Sequence, residues 1–151
     1  MAATSWQHIR PFSGDVQHTL QQLRRDVFAS NMFYLAEVPS VGAAMPVGAT
    51  LTRSRRPATI GRALRWNGVE GTHSVLDITD GVAGSPRPST VSALEPEALQ
   101  RCFGSTRPTL FEVLMTDFDA ADVCEDGTGR YFVVADPGEP ALVVFVGRTG
   151  T

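Results

Sequence analysis

The stretch "GVEGTHSVLDITDG", residues 68–81, gathers a histidine, a serine and two aspartates around a short apolar centre. Imidazole is the side chain that titrates closest to neutral pH, so His73 is the candidate general acid or base. Asp77 and Asp80 are the carboxylates that would steer a substrate. Read as a strand over 73–78, the alternation puts positions 73, 75 and 77 on one face and turns Leu76 and Ile78 into the core. Four residues of strand rise then separate His73 from Asp77 by about 13 Å. The two cannot form a dyad along a regular strand, and any partner must come from elsewhere. Ser74 lies on the core side, and "GTHSV" lacks the second glycine of a nucleophile elbow, which excludes serine hydrolase chemistry. The plainer reading has His73 ending a strand and Asp80-Gly81 forming a turn.

Other residues bear on a site. "TRSRRP" (52–57) holds Arg53, Arg55 and Arg56, which as planar donors suit a carboxylate or phosphate, or else sit in a solvated loop. With Trp66 they make the candidate substrate-binding set. The aromatics Trp6, Phe33, Tyr34 and Trp66 would line a pocket or fill the core. "TDFDAADVCEDG" (116–127) is rich in acids, but Ala121 and Asp122 stand where a calcium loop needs an acid and a glycine. His8, His18 and His73 lack ligand spacing, so no metal site is expected. Cys102 reads as a core thiol on a helix face, and Cys124 sits among acids that raise a thiol pKa.

These residues need a scaffold. "SWQHIRPF" (5–12) alternates as a short edge strand ended by Pro11. Ser13 as cap and the stripe Val16, Leu20, Leu23, Val27 and Phe28 predict a first helix, stopped at Asn31. "MFYLAEV" (32–38) is a strand or an extended approach to Pro39. Residues 39–57 form a long, mostly small and apolar connection, with a short strand at "GATLTR", a cover or a partner surface as its readings. A short helix is predicted over 57–68 and a turn-rich connector over 81–90. Ser92 or Glu95 opens a third helix that buries Leu94, Ala98, Leu99, Cys102 and Phe103 up to Gly104. "STRPTLFEVLM" restarts a fourth with Leu110, Val113 and Leu114 apolar, and Thr116 or Asp117 caps a short turn. "RYFVVAD" and "ALVVFVG" read as a hairpin through "PGEP", buried on both faces. The expectation is an α+β single domain over 1–151: a small, mostly antiparallel sheet with three to four helices packed on one side and a C-terminal β-hairpin.

Composition narrows the function classes. A chain of 151 residues, 42% hydrophobic and 19% charged, can bury a core. All 13 basic residues are arginine, so Schiff-base lysine chemistry and P-loop nucleotide binding are excluded. A net charge of −3 gives no footprint for nucleic acid or an anionic membrane. "MAATSW" shows no cationic n-region or long apolar stretch, and "ALVVFV" is too short to span a bilayer. A cytoplasmic location is therefore expected. No cofactor is expected.

"FSGDVQHTLQQLRRDVF", "GTHSVLDI", "FGSTRPT" and "GRYFVV…FVG" together resemble a family of small bacterial proteins without assigned function. Phe12, Asp15, Leu20, Arg24, Phe28, the run Gly71 to Ile78, Arg107-Pro108 and Gly129 carry the resemblance. It implies a single-domain cytoplasmic protein and no particular activity. Two functions stay open. One is a cofactor-free isomerase, cyclase or dehydratase on a small organic molecule, with His73 as acid or base. The other is a non-catalytic binding protein, such as a toxin antagonist (immunity protein) or an accessory subunit. A small-molecule substrate, a protein partner or a second copy in a homodimer are the partners these readings admit.

Overall fold

The structure is a computed structural model that describes residues 3–36 and 57–150. Five strands and four helices follow in the order β1 (Thr4–Pro11), α1 (Val16–Ser30), α2 (Ile60–Asn67), β2 (Gly81–Val82), β3 (Thr90–Ala93), α3 (Pro96–Phe103), α4 (Leu110–Met115), β4 (Thr128–Val134) and β5 (Leu142–Thr149). Short 3-10 turns lie at Gly68–Glu70, Val75–Asp77 and Ala120–Asp122.

The fold is α+β as expected, with a mixed rather than mostly antiparallel sheet. Strand order is β1-β5-β4-β3-β2. β5 pairs antiparallel with β1 and β4, whereas β3 pairs parallel with β4 and with β2. The difference lies in 81–93. The segment expected to be a connector contributes β2 and the start of β3, and Ser92 stands in a strand, so Glu95 alone opens α3. The chain leaves β3, passes through α3 and α4, and returns as β4 beside it, and such a crossover makes neighbouring strands parallel.

The helices cover both faces, which corrects the one-sided packing. Val143 and Phe145 of β5 meet Leu20, Leu23 and Val27 of α1, together with Val75, Leu76 and Ile78 of the 71–80 segment. Val144 and Val146 point the other way, onto Leu99 and Phe103 of α3 and Val113 of α4. This is why "LVVFV" carries no polar alternation: a strand buried on both faces needs apolar residues at every position. The β4–β5 hairpin is present as expected, with Val134 opposite Leu142.

Local signals place the helices. Asp15, rather than Ser13, caps α1, because its carboxylate reaches the His18 amide at 3.1 Å after the left-handed turn at Gly14. Asn31 ends α1 in the left-handed region at φ 61°. Thr109 and Glu112 form a reciprocal capping box that holds the six-residue α4. Asp119, not Thr116 or Asp117, caps the turn at Ala120–Asp122. Within the described part of 32–38 there is no strand. The "GATLTR" reading and the 39–57 connection lie outside the described residues, Pro57 apart.

Candidate functional site

The strand expected over 73–78 is absent. His73 sits in the left-handed region at φ 54°, and the chain turns tightly through Val75–Asp77. The cause is side-chain competition for the backbone. Asp77 Oδ1 accepts from the Thr72 amide at 2.7 Å and from the Thr72 hydroxyl at 2.8 Å. Ser74 Oγ lies 2.7 Å from Thr72 Oγ1 and accepts from the Leu76 amide at 3.1 Å. Aspartate, serine and threonine offer local partners that a sheet ladder would otherwise supply, and here they close the segment into a loop.

The loop is anchored on three sides. Thr149 Oγ1 donates to the Ser74 carbonyl at 3.0 Å and accepts from Trp6 Nε1 at 2.9 Å. The Trp6 indole lies over Gly147 and Gly129, which face each other across β5 and β4; a Cβ at Gly147 would collide with the ring. From α1, Arg24 Nη2 donates to the Leu76 carbonyl at 2.9 Å. Burial pushes the Arg24 guanidinium below its ordinary value, and the Asp77 carboxylate opposes that shift. The Tyr34 amide donates to the Thr72 carbonyl at 2.7 Å.

His73 is turned into this framework. Its Nδ1 lies 2.9 Å from Thr4 Oγ1, within hydrogen-bond reach, and its ring centre is 4.6 Å from that of Tyr34. On another side a Cβ at Gly150 would come within 2.7 Å of the imidazole. Nε2 is buried and has no partner among the described residues. Asp80 stands apart and exposed, bonded through Oδ1 to the Thr79 hydroxyl at 3.4 Å. Trp66 Nε1 donates to the Ala36 carbonyl at 2.8 Å, next to Asn67, whose side chain bonds the Ala36 amide and the Tyr34 carbonyl. Its indole pins residues 34–36 to α2. Arg53, Arg55 and Arg56 lie outside the described residues. The structure therefore brings His73 and Asp77 into one loop and leaves Asp80 and Trp66 in separate surroundings.

A cleft of about 340 Å³ opens beside the loop. Leu64, Gly68, Val69, Gly71, Asp77, Thr79, Ser89, Gly127, Thr149 and Gly150 line it. Among the described residues Asp77 is the one ionisable group that lines it, and its buried Oδ2 has no hydrogen-bond partner among them. His73 is not in the wall.

Neither thiol is set up as a nucleophile. Burial pushes Cys124 up to about 11, whereas the nearby cations Arg130 and Arg148 pull the other way. The upward direction matches the expectation, but desolvation causes it rather than the neighbouring acids. Burial also raises Cys102. Among the described residues no cluster of three or more His, Cys, Asp or Glu is placed to hold a metal ion.

The sequence reading missed the outer face of α4. Phe111 is 70%, Leu114 62% and Met115 69% exposed. At i, i+3 and i+4 they share one side of the helix, whereas Val113 alone is buried. The sequence pattern groups Leu114 with Leu110 and Val113 as the apolar positions of this helix. The available signal was the Phe111–Met115 pair, a second apolar stripe that a single short helix cannot bury together with the first.

No family model, no curated protein and no solved structure matches the chain. Among the described residues no helix is long and apolar enough to cross a membrane.

Proposed function

We propose that this chain is a non-catalytic binding protein that docks another protein on the outer face of α4, as an accessory subunit or a toxin antagonist in the cytoplasm would. The observation that carries this reading is the exposure of Phe111, Leu114 and Met115 side by side on a capped helix. Contiguous exposed apolar side chains mark interaction surfaces, and aromatic and methionine side chains are enriched in the cores of interfaces. The charged surroundings support a basic partner surface. Glu112 lies in the helix, the exposed Asp117 follows it, and Asp136 accepts from the Leu110 amide, against Arg107 ahead of the helix. An apolar strip flanked by basic side chains complements that surface. Leu114→Glu should abolish the complex and leave the fold intact, because the side chain it replaces touches solvent. A complex that survives the substitution would contradict the reading.

A second reading keeps one observation in its favour. A cofactor-free isomerase, cyclase or dehydratase needs an acid or base with a free position, and His73 Nε2 has no partner among the described residues. Against it, the same ring is held by Thr4 and covered by Tyr34 and Gly150, and it does not line the cleft. His73→Ala in an assay of turnover separates the two: the enzyme reading requires a loss of rate, and the binding reading requires an unchanged complex.

A further inference from the structure

We propose that the chain pairs with a second copy of itself along the outer edge of β1, antiparallel about a two-fold axis at Gln7, so that the two sheets join into one. The surface is separate from the α4 face and does not rest on it.

The register of β1 shows which backbone groups face outward. In an antiparallel pair, residues bonded to the neighbouring strand alternate with residues whose N–H and C=O point away from it. The Phe12 amide donates to the Ala141 carbonyl at 3.0 Å, and the same register pairs Arg10 with Val143, His8 with Phe145, Trp6 with Gly147 and Thr4 with Thr149. These even-numbered residues direct their backbone groups at β5, so Ser5, Gln7, Ile9 and Pro11 turn theirs to the outer side. Pro11 has no N–H to give and stands at an outward position, where an edge strand tolerates it. β1 ends the strand order, and among the described residues no backbone–backbone hydrogen bond reaches the outer side of Ser5, Gln7 or Ile9.

The opposite edge of the sheet is closed by a side chain. β2 has only two residues, Gln17 Oε1 accepts from its outward Val82 amide at 2.9 Å, and a Cβ at Gly81 would stand 2.7 Å from that oxygen. β1 is eight residues long. Charge and proline, which commonly guard an edge, come at its end as Arg10 and Pro11, and Arg10 is turned onto Asp26 of α1 at 3.5 Å.

The second copy fits because the strand is self-complementary. With Gln7 opposite its own copy, Ser5 meets Ile9, Trp6 meets His8 and Thr4 meets Arg10. Gln7 exchanges both backbone bonds across the axis, and the Ser5 and Ile9 amides and carbonyls bond each other on either side of it. Arg10 is the strand's one fixed charge and falls opposite Thr4, so no like charges face each other. Centring on Ile9 instead would bring Pro11 opposite Gln7 and lose a donor.

Sedimentation velocity of the full chain over a concentration series, with amide hydrogen exchange at the same concentrations, tests the pairing. The expected result is a monomer–dimer equilibrium in which the Ser5, Gln7 and Ile9 amides slow as the dimer fills. Gln7 is exposed, so Gln7→Lys and Gln7→Glu should keep the fold, as circular dichroism checks. Each sets like charges face to face across the axis and should weaken the dimer by at least about tenfold. An equimolar mixture of the two variants should recover it. A monomer at every concentration, a dimer that survives in both variants, or a mixture no more dimeric than either variant alone would overturn the proposal. Slow exchange at Ser5, Gln7 and Ile9 in the monomer would overturn it too, because the chain would then cover its own edge.

Discussion

Asp77 Oδ1 accepts two hydrogen bonds from Thr72, one from the amide at 2.7 Å and one from the hydroxyl at 2.8 Å. This pairing converts the apolar run "SVLDI" from a strand into a turn that caps one face of the sheet. It also gives the carboxylate a structural task before any chemical one.

The pairing separates two substitutions at one position. Asp77→Asn keeps an acceptor oxygen facing Thr72 and should cost less than about 1 kcal/mol. Asp77→Ala removes both bonds and strands the Thr72 amide, which should cost about 2–4 kcal/mol. Urea unfolding midpoints at unchanged slope measure the difference. Equal midpoints for the two variants would show that the carboxylate does not hold the loop.

Trp6 and Gly147 make a second pair whose sizes are matched. The strand partners Trp6 and Gly147 leave no room for a Cβ under the indole. Gly147→Ala should therefore cost about 3 kcal/mol or prevent folding, as overpacking of a tight site does. Near-UV circular dichroism and urea unfolding read the effect. A variant as stable as the parent would mean that the indole does not lie on that glycine.

Cys124 sets an alkaline limit. Its thiol is pushed up to about 11 from an ordinary value of 9.0. Between those values the unfolded chain has released the proton and the folded chain keeps it. The folded state then binds more protons, so stability falls as pH rises through about 9 to 11 and is fully present below that window. The slope should vanish in Cys124→Ser when unfolding is followed across the same range. Rapid alkylation of folded Cys124 at pH 8 would contradict the burial that causes the shift.

Much of the scaffold was legible in the sequence, and the reasons are physical. Leu20, Leu23 and Val27 repeat at helical period, and "LVVFV" has no polar position, so α1 and the doubly buried β5 follow from pattern alone. Three features did not follow. The two-residue β2 and four-residue β3 are too short to carry a period, and without them the sheet reads as antiparallel. The 73–78 run alternates like a strand, but Thr72, Ser74 and Asp77 outcompete the ladder with local bonds that alternation cannot register. In α4, the choice between two apolar stripes depends on which one the sheet meets, and that is a tertiary fact. His73 and Asp77 were legible as the residues to examine. Their roles were not, because Thr4 and Gly150, which hold His73, come from opposite ends of the chain.

The most direct test of the central claim places a benzoylphenylalanine photo-crosslinker at position 111 of the full chain in its native host. The same probe at Arg62, exposed on α2, serves as the control. The account predicts one dominant protein adduct from position 111 and none from position 62. The adduct should disappear when Leu114→Glu is also present and should weaken with added salt, because a basic rim on the partner meets Glu112 and Asp117. An adduct at 111 no stronger than at 62, or one that persists with Leu114→Glu, would contradict the claim that α4 docks a partner.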